Sequence, residues 1–255
     1  MEITNKTFMK KAILNWSGGK DSSLSLYRLL HAREYDIQYL LTSVNHQFQR
    51  ISMHGVRVAL LEEQAESIGI PLRKLMVPEM PSMEIYDQMM AKTLREFKTE
   101  GIEHAIFGDI FLEDLKKYRE EQLAKVDMKG VFPIWRESTS QLIEDFIGLG
   151  FKAILVCINE KYLDKSFAGR LIDKHFLSDL PKNVDPCGEK GEYHSFVYDG
   201  PIFHTPIKFH AGEIVYRNYK PVDNNPHLSN NICPSSNTPN FDTGFWYCDL
   251  LPVSD

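Results

Sequence analysis

Short apolar runs alternate with amphipathic stretches of helical period along most of the chain. Ala12, Ile13 and Leu14 sit in a run at 11–16 that predicts a buried strand. From Asp21 to about Ala32, Leu24, Leu26, Tyr27, Leu29 and Leu30 recur at helical spacing. A strand is expected at 37–44, then a helix over 55–68 with Val58, Leu61, Ala65 and Ile68 on one face, then a strand at 72–77. Ser82 suits the N-cap of a long helix that ends near Gly101, with Ile85, Met89 and Leu94 turned inward. A buried strand follows at 104–107. Such alternation predicts a doubly wound parallel sheet with helices on both faces, and ligands at the carboxyl ends of its strands.

The alternation continues with a charged helix over 113–128 and a helix that starts at the capping-box pair Ser138 and Gln141 and stops at Gly150. A strand at 153–158 and a helix over 169–176 follow. Past Pro181 the style changes. Residues 193–198, the Asp199-Gly200 turn and 201–209 predict a β-hairpin, with a further strand at 213–217. This divides the chain into a first domain over 1–130, a smaller α+β subdomain over 131–220 and a tail over 221–255. Within the tail, Asn, Pro and Ser dominate 221–240, which reads as a surface-wrapping segment, while the aromatics of 241–251 are expected to dock.

A chain of 255 residues, 43% of them hydrophobic, can bury a sizeable core. The net charge of −6 argues against a broad nucleic-acid footprint, which needs a basic face, so no nucleic-acid partner is expected. No apolar run approaches the ~20 residues of a membrane span, and the first residues lack the apolar core of a signal peptide. No membrane association is expected, and a cytoplasmic location is. Cys157, Cys187, Cys233 and Cys248 are widely spaced with no Cys-x-x-Cys pair, which indicates neither a zinc site nor a disulfide framework.

The most informative segment is Ser17-Gly18-Gly19-Lys20-Asp21-Ser22, directly after the first strand. Two glycines let the backbone turn sharply and bring its N–H groups to an anion, at the positive end of the helix that follows. Lys20 adds a point charge, and the Ser17 and Ser22 hydroxyls can donate to phosphate oxygens. A Walker loop is excluded, because Asp21 follows the lysine and the preceding glycine spacing is wrong. At a second strand end, Gly108-Asp109 faces the same side of the sheet. Asp109 offers a hard oxygen ligand for Mg²⁺, directly or through water, with Asp21 as the alternative. His54 and Gly55 open the helix after the second strand, where a nucleotide base or substrate could lie. Trp16 and Trp135 read as core or interface anchors.

The loop resembles the Ser-Gly-Gly-x-Asp-Ser loop of the ATP pyrophosphatases, which cleave ATP between the α and β phosphates. With Phe107-Gly108-Asp109-Ile110 and the run Gly188-Glu189-Lys190-Gly191-Glu192-Tyr193-His194, followed by Asp199-Gly200-Pro201, the chain resembles the diphthine–ammonia ligase group within them, over about 11–210. It departs mildly at Ile134, where leucine is usual, and at Ser195, where threonine is. The resemblance implies a Rossmann-like fold of the adenine nucleotide alpha hydrolase type, with ATP and Mg²⁺ as cofactors. It also implies an AMP-forming carboxylate–ammonia ligase: ATP activates a carboxylate as an acyl adenylate, releasing pyrophosphate, and ammonia displaces AMP. The partners are then a carboxylate, on a small molecule or a protein side chain, and ammonia; a homodimer is left open.

Asp21, Glu189, Glu192 and His194 become the candidate catalytic residues. In a strand Glu192 and His194 point to one side, and Glu189 lies on a loop able to close over substrate. Cys187 reads as a structural thiol. Two other functions could use the same loop: a nucleotide sensor without turnover, which needs no second cluster of acids and bases, and an RNA-thiolating enzyme, which needs paired cysteines and a basic surface.

Overall fold

A computed structural model describes residues 9–51, 54–78, 81–219 and 243–253. Its first layer is built from β1 (Lys10–Asn15), α1 (Lys20–Ala32), β2 (Tyr35–Asn45), β3 (Arg50–Ile51), α2 (Val58–Ile68), β4 (Leu72–Val77), α3 (Met83–Thr99), β5 (His104–Ile106), α4 (Glu113–Ala124) and β6 (Lys129–Val131). The strands β4, β2, β1, β5 and β6 lie side by side and run parallel. The short β3 pairs antiparallel with Val44 and Asn45 at the end of β2. Because β4 occupies the other edge of those two residues, β3 extends the edge that β1 leaves free.

Successive residues of β1 feed opposite faces. Ile13 joins Leu41, Leu75 and Ala105 in a core completed by Leu94 and Phe97 of α3 and Leu123 of α4. Ala12 and Leu14 join Leu40 and Ile106 in a second core with Leu24, Leu26, Leu60 and Leu61 of α1 and α2. Burial on both faces of the sheet explains why Ala12, Ile13 and Leu14 of β1 form an unbroken apolar run rather than an alternating one. This is the expected Rossmann-like arrangement. Ser82 caps α3 by accepting from Ile85 N at 3.2 Å, as its sequence position suggested.

The second layer contains α5 (Thr139–Gly148), β7 (Lys152–Asn159), α6 (Lys174–Asp179), β8 (Tyr193–Asp199), β9 (Phe209–Tyr219) and β10 (Thr243–Pro252). Its strands form an antiparallel sheet in the order β8-β7-β10-β9. Ile154, Val156, Phe196 and Val197 of this sheet share the core of α1 and α2, so the layer closes over that side of the first sheet. No described helix is long and apolar enough to cross a membrane.

Three expectations fail here, each for a local reason. The helix over 169–176 does not form: Gly169 adopts φ +81°, and Gly169 N and Ile172 N donate to Leu155 O and Ala153 O, laying 169–172 along β7 as extended chain. A helix starts only after Asp173, whose carboxylate accepts from Phe176 N. The hairpin at Asp199-Gly200 does not form either. Pro201 and Pro206 have no N–H for a ladder, and the segment leaves the sheet so that His204 N reaches Ser67 O of α2. The first arm becomes β8 and pairs with β7, 201–208 forms no strand, and the strand expected at 213–217 lies within β9, beside β10. Finally, His54 and Gly55 do not open α2; they form the turn before it, and Arg57 is the N-cap. Phe245, Trp246 and Tyr247 dock as part of β10, between β7 and β9, while 221–240 and Phe241 lie outside the described residues.

Candidate active site

The site assembles where β1 and β5 end side by side. Gly18 has φ +73°, a backbone that side chains rarely adopt, and a Cβ there would lie 2.7 Å from Gln64 Oε1 and 2.8 Å from Leu61 Cδ2. A Cβ at Gly19 would come within 3.0 Å of Ser195 O. Gly19 is also the N-cap of α1 and supplies no side chain of its own to the first turn, where Lys20 N donates to Ser195 Oγ at 3.2 Å and Gly19 N to Ser17 Oγ at 3.3 Å. The result is a tight, electropositive cradle. Ser22 Oγ donates to Gly19 O at 3.0 Å and lies 3.2 Å from Ser17 Oγ, which places both hydroxyls at the rim.

Two contacts from other elements lock this loop. Val197 N of β8 donates to Gly18 O at 2.8 Å. Gln64 of α2, fully buried, donates from Nε2 to Gly18 O at 3.1 Å and Val197 O at 2.6 Å, while its Oε1 accepts from Trp16 Nε1 at 2.9 Å. One side chain therefore ties the loop, α2 and the second sheet together. Trp16 is the interface anchor the sequence suggested, but nothing marked Gln64: it is a polar residue set among Leu60, Leu61 and Ile68 on the buried face of α2. Gly108 closes the other wall, where a Cβ would lie 2.9–3.1 Å from the backbone of Asp21 and Ser22.

The charges are arranged in pairs. Lys20 is buried and its Nζ lies 2.7 Å from Asp21 Oδ2. Burial opposes the ammonium, but Asp21 and then Tyr193 more than offset it, and the Lys20 pKa stands above its ordinary value. Burial in turn raises Asp21, against the pull of Lys20. Asp109 faces Arg119 of α4, with Nε 2.7 Å from Oδ2 and Nη2 3.2 Å from Oδ1. Among the described residues no three His, Cys, Asp or Glu side chains gather as a ready-made metal site.

The loop over 185–192 forms the roof. Asp185 Oδ1 accepts from Cys187 N at 2.8 Å and Glu189 N at 3.4 Å, and Oδ2 accepts from Thr139 Oγ1 of α5 at 2.8 Å. Glu192 is fully buried, and its two oxygens accept from Asp185 N at 2.9 Å and Lys190 N at 2.8 Å. Its carboxylate thus braces the loop from within instead of sharing an open face with His194. Tyr193 donates to Pro186 O at 2.5 Å, and Lys20 Nζ stands 5.4 Å from its ring centre. Cys187 is buried, donates to Thr139 O at 3.2 Å, and has its thiol pushed well up by burial, as befits an inert structural thiol.

Glu189 faces inward toward Asp21, Lys20, Asp109 and Asp185. Burial first, and then the neighbouring Asp21, push its carboxyl up to about 8. His194 stacks on His54 with ring centres 4.4 Å apart. Burial, then Lys20, lowers His194 to about 4, and burial with His194 and Lys20 lowers His54 well below the usual histidine value. At neutral pH the site therefore holds an ammonium, a protonated carboxyl and two neutral imidazoles. Ser17, Gly18, Gly19, Lys20, Asp21, Ser22, His54, Gly108, Asp109, Glu189 and His194 all meet at this one place.

Two family models match the chain in succession: the diphthamide synthase N-terminal domain over 9–130 and the diphthamide synthase C-terminal domain over 138–223. Among similar proteins, a diphthine–ammonia ligase of Danio rerio is 25% identical over 224 residues, which cover 78% of this chain and 86% of that protein. One of Mus musculus is 24% identical over 226 residues, 78% of this chain and 82% of the relative. One of Schizosaccharomyces pombe is 29% identical over 117 residues, 44% of this chain and 19% of the relative. With both domain models matched in order, and with the Ser17–Ser22 cradle and the Glu189–His194 roof lying one in each, the chain belongs to the diphthamide synthase family.

Proposed function

We propose that this protein is an ATP-dependent amidating ligase that activates a carboxylate, of the kind its relatives' name diphthine denotes, as an acyl adenylate and transfers ammonia to it. The observation that carries this reading is the placement of a glycine cradle and buried Lys20 beside Glu189 and His194. In the first step a carboxylate oxygen bonds to the α phosphorus and the α–β bond breaks, with pyrophosphate left in the cradle. In the second, ammonia bonds to the acyl carbon, the acyl–phosphate bond breaks, and AMP and one proton leave.

The residues fit these tasks. Gly18, Gly19 and the first turn of α1 are shaped for phosphate oxygens, with Lys20 supplying positive charge and Ser17 and Ser22 hydroxyl donors. Asp21 and Asp109 fit Mg²⁺, which takes one or two carboxylates and completes its shell with water and phosphate. When bound there, the cation offsets phosphate charge. His54 and Gly55 line the place for the nucleotide or acceptor. Glu189 in its ionised form is the group suited to take the proton from the attacking amine, and neutral His194 accepts or donates a hydrogen bond beside it. Glu192 holds the roof that carries them.

Product chromatography tests this with ATP, Mg²⁺, ammonium and a diphthine-bearing acceptor. AMP and pyrophosphate in step with amide are expected, whereas ADP and phosphate as sole nucleotide products would overturn the reading.

A further inference from the structure

The turn that carries His54 is held by the last strand of the chain. Asp249 of β10 accepts from Arg50 Nη1 at 2.8 Å, and from Arg57 Nε at 3.1 Å and Nη2 at 2.6 Å. Arg50 Nη1 also donates to Gly55 O at 2.6 Å, and Ile51 N to Val56 O at 2.9 Å, so Arg50, Ile51 and the stretch from Gly55 to Arg57 are drawn together around that carboxylate. Tyr247, two residues earlier and on the same face of β10, abuts the other side. Gly55 has φ +70°, and a Cβ there would lie 2.9 Å from Tyr247 Cδ1. Asp249 itself sits at a bulge, where Gly212 and Glu213 of β9 oppose it alone.

We propose that Asp249, with Tyr247 beside it, is a positioning residue for the nucleotide site: the C-terminal strand sets the His54 turn against His194 and the glycine cradle. β10 begins at Thr243 and lies beyond the residues either family model matches, so this part of the site is supplied by a segment outside the shared family core. An arginine pair, Arg50 and Arg57, converging on one carboxylate from either side of His54 fixes that turn more tightly than its own backbone bonds could. Burial alone would raise the Asp249 carboxyl, but Arg57 and Arg50 hold it down at about 2, which keeps the clamp charged at every working pH. The groups facing His54 are His194 of β8, Lys20 of α1 and the Ser195 carbonyl.

The inference rests on the nucleotide-site reading only for what the turn serves, so the experiment reads the turn and the nucleotide separately. In the full chain, the ring resonances of His54, assigned by difference from His54→Gln, report its stacking on His194, and calorimetry reports ATP affinity. Asp249→Ala is expected to move the His54 signal to that of an unstacked histidine and to weaken ATP binding about tenfold, one hydrogen bond's worth. Asp249→Glu is expected to restore both in large part. Should Asp249→Ala fail to fold, Gly55→Ala displaces the turn from the Tyr247 side and must give the same shift. Unchanged His54 resonances and affinity in folded Asp249→Ala, or unchanged resonances in Gly55→Ala, overturn the proposal. Absence of ATP binding by the unaltered protein would instead count against the function, while the resonances still decide the clamp.

Discussion

Gln64 offers the sharpest test of how the cradle is held. Replacing it with Leu keeps the volume of a buried side chain while deleting the bonds to Trp16 Nε1, Gly18 O and Val197 O. Gly18 O keeps its bond from Val197 N, so its loss is about the net value of one hydrogen bond, ~1 kcal/mol. Trp16 is only 2% exposed, and its indole N–H is left without a partner, which costs about 1–3 kcal/mol. With Val197 O adding another ~1 kcal/mol, the total is about 3–5 kcal/mol, or a fall of roughly 6–20 °C in melting temperature for a chain of this size. Urea unfolding and calorimetric ATP titration of Gln64→Leu measure the two consequences, and a double-mutant cycle with Trp16→Phe isolates the indole bond. A coupling of about 1–2 kcal/mol is expected, since removing the donor relieves the unpaired group. Unchanged stability with unchanged ATP affinity would refute the claim that this side chain ties the loop to the second sheet.

Gly18→Ala should cost more than the ~1 kcal/mol of an ordinary backbone misfit and abolish ATP binding, because the new methyl meets Gln64 and Leu61 at under 3 Å; thermal melts and titration check both. Glu189, with a folded pKa of about 8 above its ordinary 4.5, contributes stability that is full below pH 4.5 and lost as pH rises through 8. Glu189→Gln should therefore gain on the unaltered protein between those limits, by at most about 5 kcal/mol in urea unfolding at pH 9, and should lose the limb of the pH–rate profile that rises near pH 8. Glu192→Gln turns a donor toward one loop N–H and should destabilise by about 2–3 kcal/mol; a 10²–10⁴-fold loss of turnover at unchanged melting temperature would instead mark Glu192 as an acid or base.

Local chemistry decided much of this protein without the fold. The apolar run Ala12 to Leu14, the caps Ser82 and Ser138, and the two adjacent glycines at 18 and 19 each leave their signal in residues next to them in the chain. Their strand, helices and turn were legible from the chain alone. The Ser17–Ser22 loop was visible for the same reason: the role proposed for it lies in its own backbone. Tertiary structure decided what depends on partners far along the chain. Glu192 and His194 alternate correctly for one face, yet backbone N–H groups at 185 and 190 capture the first, while a histidine 140 residues earlier in sequence stacks on the second. The Asp199-Gly200 turn has hairpin chemistry, but the strand that follows finds β10 instead of β8. Gln64 and Asp249 drew no reading from the sequence, because periodicity records which face is buried and not which polar group waits there to be satisfied. A side chain's pKa, its partner and its part in a site come from desolvation and long-range contact, and those exist only once the chain has closed on itself.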